Sequence, residues 1–429
     1  MKKNFFIAIL LLAVLVSCSW WNKDDNKSMH DLNIDPNFTF NTTRMVTVEI
    51  TGPIETDFNL FLEYDGDTKS PKDTLLLDKM VVATMTDSTG VFEDIITLPS
   101  YRNYVYLQSG EYIKKLTINK TTTTEGEVID SFEIPKYLAD NSGSKCQTIY
   151  IYYPCKDAYG TVMFEDLWPD TGDYDLNDLV IDANWIEKYR SDQWIWVPPF
   201  YFFRQIFEIE AKFKIRATGA SYKISFGVQL PDLCYIDGAV TTTLPQGLSV
   251  EQDNNTLIFI YDVHEALGSP SGEWTNTYEP YPYYNPVEFT VHIPIHYVNG
   301  WDPAWVEWVS DQNNPIYNPP YNPFIYVNDD RSHEIHLANY PPTDSMNTAL
   351  FDTGDDASKP AAGIYFRTSN GLPWAVNVCE STVYMKETIP IIDGFNHFAQ
   401  WAESGGTTYT DWYKNKSGYI CWENIYSEP

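Results

Sequence analysis

One segment of the sequence concentrates acidic and amide side chains at a spacing that suits cation binding. Residues 165–182 contain seven Asp and Glu residues and no Lys or Arg. Asp173, Asp175 and Asn177 occupy alternate positions, so in an extended chain their side-chain oxygens would face the same side. Crowded carboxylates repel one another, and they must either take up protons or share a cation. Hard oxygen ligands in a tight loop favour calcium, which accepts about six to eight of them.

The candidate calcium ligands come from this segment and from a second acidic loop, residues 352–356. The second loop could complete the same site in space, although alone its sequence is typical of an ordinary glycine turn. Residues 328–330 form a third, weaker acidic candidate. The predicted ligands are Glu165, Asp166, Asp170, Asp173, Asp175, Asn177, Asp178, Asp355 and Asp356.

The spacing is similar to the start of an EF-hand loop but departs from it twice. Asp178 stands where that loop needs glycine, and Asn184 stands where it needs glutamate, so an EF-hand is rejected. Two other interpretations stay open beside the cation. The acids could form a solvated turn in which they accept backbone hydrogen bonds, or they could include a catalytic pair.

The N-terminus has the pattern of a bacterial lipoprotein signal. Lys2 and Lys3 precede an apolar run over residues 5–16, which is shorter than the ~20 residues of a membrane-spanning helix. Residues 15–18, Leu-Val-Ser-Cys, resemble the lipobox that precedes a lipidated cysteine. We therefore expect a signal peptide over 1–17 and lipid on Cys18, with several acyl chains holding the protein firmly to a membrane.

Composition limits the possible partners and the location. The formal net charge of −31 would repel a nucleic acid backbone and anionic lipid headgroups, so no nucleic acid partner is expected, and membrane contact should be through the lipid alone. Aromatic residues make up 16% of the chain, which suits a β-rich extracellular protein. We expect an outer membrane lipoprotein that faces the cell surface or the periplasm.

The distribution of short alternating segments predicts a predominantly all-β fold. Several brief strands precede residue 136, and more follow from about Thr161, with turn residues between them. The first group predicts a small β-sandwich, or else the first layer of a larger sheet. The predicted organisation is a signal peptide over 1–17, a lipid anchor and polar tether over 18–43, a small β-sandwich over 44–136, a linker over 137–158, and a larger β-sandwich or jelly-roll-like domain over 159–429.

One short helix is predicted near residues 395–403. Phe395, Phe398, Ala399 and Ala402 fall on one helical face, and the glycines at 405 and 406 provide a stop.

Cysteine and histidine spacings do not indicate a zinc site. Cys146 and Cys155 could be bridged as a strand and its return, while other pairings with Cys234, Cys379 and Cys421 stay open. His333 and His336 lie three apart in a strand-like run and should point to opposite faces, so we expect them to serve the sheet. No motif of a serine hydrolase, a zinc protease or a P-loop nucleotide-binding protein is present in the sequence.

The acidic segment also carries a family resemblance. The matching stretches are residues 164–169, 172–180, 334–337, 340–344, 351–356, 371–377, 398–406 and 411–413. In their order they resemble the LruC-domain family of Bacteroides-type lipoproteins, over a region that begins at about Thr161. The resemblance implies an envelope lipoprotein but no biochemical activity. A long Pro-, Tyr- and Asn-rich insertion after about Ser269 departs from the family pattern and is a place for whatever is particular to this member.

The leading functional hypothesis is a non-enzymatic surface protein that binds or adheres to a glycan or protein ligand and is stabilised by calcium. Trp301, Trp305 and Trp308 could stack on sugars, although packing inside the domain is the main alternative for them. Two further hypotheses are a glycan hydrolase that uses paired carboxylates and a structural subunit of a surface appendage.

Overall fold

The computed structural model describes residues 27–63, 79–87, 89–120, 127–129, 131–136, 148–197, 201–231, 235–245, 249–295 and 318–429. Within these ranges the chain is predominantly β and forms an all-β sandwich, so the predicted fold class is confirmed. The predicted lipidation site Cys18 and the three tryptophans Trp301, Trp305 and Trp308 lie outside the described residues.

The strands before residue 165 are β1 (Thr43–Thr51), β2 (Asp57–Phe61), β3 (Met80–Met85), β4 (Val91–Pro99), β5 (Tyr104–Ser109), β6 (Tyr112–Lys120), β7 (Glu127–Ile129), β8 (Phe132–Glu133), β9 (Thr148–Tyr153) and β10 (Gly160–Phe164). The later strands are β11 (Leu179–Val197), β12 (Tyr201–Ala217), β13 (Ile224–Gln229), β14 (Thr241–Thr242), β15 (Glu251–Asp253), β16 (Thr256–Ile260), β17 (Val287–Pro294), β18 (Asn322–Val327), β19 (Glu334–His336) and β20 (Ala375–Val378). The α-helices are α1 (Val263–Leu267), α2 (Ile391–Gly394) and α3 (Phe398–Glu403). Short 3-10 helices cover Met29–Asp31, Thr348–Leu350, Pro360–Ala362 and Trp422–Asn424. Among the described helices, none has both the length and the apolar character needed to cross a membrane.

The first eight strands build a β-structure around alternating apolar residues. In β1 the buried residues are Val46, Val48 and Ile50, while the residues between them are more exposed, as the two-residue period of a strand requires. The strands pair in the order β3-β2-β5-β6-β7-β1-β4, and β8 adds to β1.

Strand β9 joins this group to the rest of the chain. It lies within the segment predicted as a linker, residues 137–158, and pairs with β3 on one side and β11 on the other. The hydrogen-bonded sheet therefore continues from the first strands into the later ones. Its strand order beyond β9 is β11-β12-β17-β14.

A second sheet covers the later part of the first. Its order is β15-β16-β13-β18-β19, and aromatic rings fill the space between the two sheets. The Phe213 ring on β12 contacts Trp185 on β11, Phe226 on β13 and Phe259 on β16, with ring centroids 4.9–5.6 Å apart. Such edge and tilted contacts are the favoured geometries of aromatic pairs. Strand β11 belongs to this packed sheet, and β10 pairs with β11, so the sandwich holds both strands in place.

Residues 29–43 pack against the C-terminal part of the chain, so the prediction of a free polar tether over 18–43 is wrong for this stretch. Met29, Leu32, Ile34 and Phe40 are buried there. The Phe40 ring lies 5.9 Å from that of Trp401. These apolar residues stand among Asn and Asp with no regular period, so the sequence pattern does not indicate that they are buried. Burial of each of them stabilises the fold by about 1.5–3 kcal/mol.

The predicted helix near residues 395–403 is confirmed as α3. Phe398, Trp401 and Ala402 are buried, and Gly405 and Gly406 follow the helix with φ of 60° and 77°. Such positive φ values favour glycine. The other two α-helices were not predicted, because four or five residues are too few to show a helical period.

The predicted bridge between Cys146 and Cys155 is wrong, because Cys155 is a buried thiol that takes part in no disulfide. Cys146 and Cys234 lie outside the described residues. Cys379 is a buried thiol whose Sγ lies 3.1 Å from the hydroxyl of Tyr413. Cys421 is disulfide-bonded.

Glu187, on β11, gives the folded protein a distinct pH dependence. Its carboxyl accepts hydrogen bonds from Tyr321 at 2.6 Å and Tyr189 at 3.0 Å, and burial raises its pKa to about 7. Since this pKa is higher in the folded than in the unfolded chain, its stabilising effect is present at low pH and is lost as the pH rises through 7. We expect the free energy of unfolding of the wild type, relative to Glu187→Gln, to fall by up to roughly 3 kcal/mol between pH 5 and pH 8.

The measurement is urea unfolding at the two pH values in the presence of a chelator. Glu265→Gln, at an exposed position on α1, is the matched control and should keep the wild-type pH dependence. Identical pH dependence in wild type and Glu187→Gln would contradict the assignment.

Candidate metal centre

The acidic segment is the loop that joins β10 to β11. Phe164 pairs with Leu179 across the two antiparallel strands, so residues 165–178 form the whole connection. The loop is not extended as expected, because Tyr174 and Leu176 adopt positive φ of 61° and 53°. Both of these residues are buried in the apolar cluster that also contains Phe395 and Trp412. This burial compensates the cost of the left-handed backbone.

Three carboxylates of the loop converge. One oxygen each of Glu165, Asp173 and Asp175 lies within 4.8 Å of the other two. Backbone groups hold them in place: Glu165 Oε1 accepts from the N–H of Leu176 at 2.7 Å, and Asp175 Oδ2 accepts from the N–H of Thr388 at 2.8 Å. Asp173 lies at the exposed edge of the group, while Glu165 and Asp175 are each only 1% exposed.

A second carboxyl pair adjoins the first group. Asp178 Oδ2 accepts from the backbone N–H of Asp166 at 2.8 Å. Burial raises the pKa of Asp166 to about 6. The pKa of Asp178 is raised well above its ordinary value by burial and by the neighbouring charges of Asp166 and Glu165.

The three converging carboxyls are perturbed in the same direction. Burial and the charge of Asp173 raise the pKa of Glu165 to about 8. Burial, followed by the charges of Glu165 and Asp173, raises the pKa of Asp175 well above its usual range. Burial also raises the pKa of Asp173. Within the described part of the chain, no Lys or Arg forms an ion pair with any of these carboxyls.

Glu387 is a further member that the sequence did not reveal. A Cβ placed on Gly219 would come 1.9 Å from Asn177 Oδ1 and 2.7 Å from Glu387 Oε2, so the two oxygens converge on the same spot. Burial raises the pKa of Glu387 to about 7. No acidic run or short spacing surrounds this residue, so it carries no signal in the sequence.

Two oxygens of the cluster lack hydrogen-bond partners among the described residues. They are Asn177 Oδ1 and Asp166 Oδ2, and both residues are buried. The amide nitrogen of Asn177 donates to the carbonyl of Met385 at 3.3 Å, which leaves its oxygen directed at Gly219 and Glu387. Buried polar atoms are nearly always satisfied, so each of these oxygens requires an electropositive partner. A proton shared with the Asp178 carboxyl would satisfy Asp166, whereas no described group satisfies Asn177 Oδ1. We name the group Glu165, Asp166, Asp173, Asp175, Asn177, Asp178 and Glu387 the carboxylate cluster.

The remaining predicted ligands lie outside the carboxylate cluster. Asp355 Oδ2 accepts from the N–H and hydroxyl of Thr171 at 3.0 and 2.9 Å. Asp356 Oδ1 accepts from Trp168 Nε1 at 3.0 Å. Asp170 Oδ1 is directed at Gly354, where an added Cβ would lie 2.6 Å away. The second acidic loop therefore packs against the first through hydrogen bonds and does not enter the cluster.

The two histidines contact different partners. His336 is buried, with Nδ1 2.7 Å from Asn322 Oδ1 and Nε2 3.1 Å from Glu334 Oε2. His333 Nε2 lies 3.1 Å from the backbone carbonyl of Trp168.

A second group with metal-binding residue types already contains a lysine as its cation. Glu208, Glu210 and His292 converge on the outer face of the sheet. Lys188 Nζ lies 2.7 Å from a carboxylate oxygen of each glutamate. This cation makes the group an ordinary surface ion-pair network.

Comparisons with known proteins show the fold but no activity. Residues 204–413 match the model of a family described as a domain of unknown function (DUF4842). The crystal structure of a candidate lipoprotein from Bacteroides ovatus superposes with a TM-score of 0.58 at 16% identity, covering 87% of this chain and 100% of the other. A comparison with curated proteins gives no match. The matched family region includes Gly219 and Glu387 but begins after the loop that supplies the other members of the cluster.

The substitution Gly172→Ala tests the geometry of the carboxylate cluster in the absence of metal ions. A Cβ on Gly172 would lie 2.0 Å from Glu165 Oε2, so Gly172→Ala should displace a carboxylate that is held by the Leu176 N–H. We expect the free energy of unfolding, measured with urea in chelator, to fall by about 1–3 kcal/mol.

Gly110→Ala is the control, because no atom lies within 4 Å of its added Cβ. Its cost should be limited to about 1 kcal/mol from the positive φ. A Gly172→Ala protein as stable as the wild type would show that Glu165 is not held where described.

Proposed function

We propose that this protein is an envelope lipoprotein that binds a ligand and does not transform it, and that calcium in the carboxylate cluster stabilises its fold. The observation that carries the cation is the burial of several carboxyls beside two unsatisfied oxygens, with no ion pair to Lys or Arg in the described residues. A buried carboxylate without a partner costs several kcal/mol, and a divalent cation removes that cost for several carboxylates at once.

Calcium fits the donor set better than other common ions do. All seven members of the cluster offer oxygen, and the carboxylates of Glu165, Asp175 and Asp178 are fixed by backbone N–H groups. Calcium accepts about six to eight oxygens in irregular geometry, whereas magnesium requires a near-octahedral set and zinc favours nitrogen and sulfur. The cluster contains no His or Cys. Shared protons are the alternative, because the raised pKa values allow some of the carboxyls to stay neutral.

The same geometry disfavours the hydrolase hypothesis. A glycosidase needs its two carboxyls on either side of a scissile bond, with room for a sugar between them. Glu165 and Asp175 are almost completely buried, and their oxygens are already engaged by backbone N–H groups. A polymer therefore has no access to this pair.

The proposed membrane attachment rests on residues 15–18 and on the similarity of fold to the Bacteroides ovatus candidate lipoprotein. The resemblance to the LruC-domain family supports the same proposal. Eight residues separate Cys18 from Lys27, which pairs with Glu403 at 2.6 Å, and they span roughly 30 Å at most. The anchor thus leads almost directly into the packed segment over residues 29–43. We place the protein on the outer membrane, facing the surface or the periplasm.

Calcium should raise the melting temperature of the mature protein, purified in detergent, by several degrees over the value in chelator. A ligand at about 100 times its Kd adds about 2.7 kcal/mol to the stability. In Asp175→Asn the calcium shift should fall by more than half. The melting temperature in chelator should change little, because the loss of one repelling charge is offset by an amide nitrogen that must face the N–H of Asn177 or Thr388. Differential scanning calorimetry measures both quantities.

Asp355→Asn is the matched control, since this exposed carboxylate bonds only to Thr171 among the described residues. It should keep the full calcium shift. If the wild type melts at the same temperature in calcium and in chelator, shared protons explain the cluster and the calcium proposal fails.

Lipid attachment is tested separately in bacterial cells by labelling with an alkyne-bearing fatty acid. The wild-type protein should carry the label and sediment with membranes. Cys18→Ser should lose the label and appear in the soluble fraction, because the lipid is its expected membrane contact. A Cys18→Ser protein that still carries the label would rule out this cysteine as the acceptor.

A further inference from the structure

Three aromatic side chains from the insertion after Ser269 form an exposed group, which we name the aromatic corner: Trp274, Tyr278 and Tyr281. The Trp274 and Tyr281 rings are inclined by 33° with centroids 6.3 Å apart. The Tyr278 ring stands nearly perpendicular to both, at 81° and 80°. Tyr278 and Tyr281 are 38% and 37% exposed, so the corner presents ring surface to solvent.

The segment that carries the corner is held in one conformation. Asn276 donates to the carbonyls of Arg216 and Tyr284 at 2.8 and 2.7 Å and accepts from the N–H of Tyr284 at 2.9 Å. This buried amide ties both ends of the segment to the sheet. Thr275 and Thr218 exchange two backbone hydrogen bonds of 2.8 and 3.0 Å. A surface fixed in advance loses little conformational entropy when a ligand binds.

The segment that carries the aromatic corner is also hydrogen-bonded to Glu387, a member of the carboxylate cluster. The Thr277 hydroxyl donates to Glu387 Oε2 at 2.9 Å, and the Thr277 carbonyl accepts from the N–H of Glu387 at 3.1 Å. Next to them, Lys386 pairs with Glu279 at 2.9 Å. Glu279, the acid between the two exposed tyrosines in the sequence, is therefore neutralised by Lys386. The two charged groups of this pair place hydrogen-bonding atoms beside the aromatic rings.

From this arrangement we propose that the aromatic corner is a binding site for a neutral glycan chain. The C–H faces of pyranose rings carry slight positive charge and pack on the negative faces of aromatic rings, while tyrosine hydroxyls and rim charges bond the sugar hydroxyls. The proposal rests on the proposed binding function and names its ligand class. Because the chain carries a net charge of −31, an acidic polysaccharide would be repelled.

Packing alone does not account for the corner. An aromatic ring that serves only the core is covered, as Phe213 and Trp185 are between the two sheets. Here two adjacent tyrosines stay exposed on a backbone that an amide and three prolines at 280, 282 and 286 restrict. Exposed aromatic rings clustered on a rigid support are typical of recognition surfaces.

The test is retention of the mature protein, purified in detergent, on an array of neutral oligosaccharides with uronic acid and sulfated oligosaccharides beside them. We expect binding to neutral members and a loss of at least about tenfold in affinity for Tyr278→Ala and for Tyr281→Ala. Tyr278→Phe keeps the ring and loses only the hydroxyl, so its loss should be limited to about threefold to tenfold. Tyr235→Ala, which removes a 49% exposed tyrosine outside the corner, is the matched control and should bind normally. Unchanged melting temperatures would show that all of the variants fold.

Three results would overturn the inference. They are binding that survives in the Tyr278→Ala, Tyr281→Ala double variant, binding restricted to acidic glycans, and no glycan binding at all. The last result would favour a protein ligand for the corner. None of the three affects the calcium shift in melting temperature, so failure of the glycan site is distinguishable from failure of the calcium proposal.

Discussion

Repulsion among buried carboxylates is the constraint on which the rest of the structure depends. Two carboxylate oxygens within 4.8 Å of each other repel by at least about 3 kcal/mol at an effective dielectric constant of 20, and the cluster contains several such neighbours. Domains are stable by only about 5–15 kcal/mol in total, so the cluster cannot stay fully ionised in the folded chain. The fold at neutral pH requires either retained protons or a bound cation. Burial, followed by repulsion from the neighbouring carboxylates, raises the pKa values of Glu165, Asp175 and Asp178.

The cluster brings together parts of the chain that are far apart in sequence. Its acids come from the β10–β11 loop, Gly219 follows β12, and Glu387 precedes α2. Two glycines are required because a Cβ at position 172 or 219 would overlap an oxygen of Glu165 or Asn177. A cation held there would link the hairpin to the C-terminal region, whose apolar cluster also buries Phe40 from the N-terminal segment. Loss of such a cation would thus affect packing well beyond the β10–β11 loop.

The features that could be predicted from the sequence are those that depend on the local pattern of residues. Alternation gave the β fold, the aligned phenylalanines gave α3, and the alternating acids located most of the carboxylate cluster. What failed depends on long-range contact. Glu387 has no acidic neighbours, and the spacing of Asp355 and Asp356 gave no means of knowing that Thr171 and Trp168 would take up their oxygens. The extended loop was also wrong, because burial of Tyr174 and Leu176 outweighs the cost of positive φ.

The position of Glu387 relates the cluster to the aromatic corner. Its carboxylate faces Asn177 on one side and accepts the Thr277 hydroxyl on the other. A hydrogen bond to a charged group contributes about 1.5–3 kcal/mol, so the charge state of Glu387 affects how firmly Thr277 is held. A bound cation would keep Glu387 ionised and preserve the stronger bond, whereas protonation would weaken it. Coupling of this kind is reciprocal: whatever stabilises the segment that carries Trp274 and Tyr278 also favours the ionised cluster. On the calcium proposal, the two sites are parts of one electrostatic arrangement, in which the ionised Glu387 carboxylate holds the segment that carries the exposed rings.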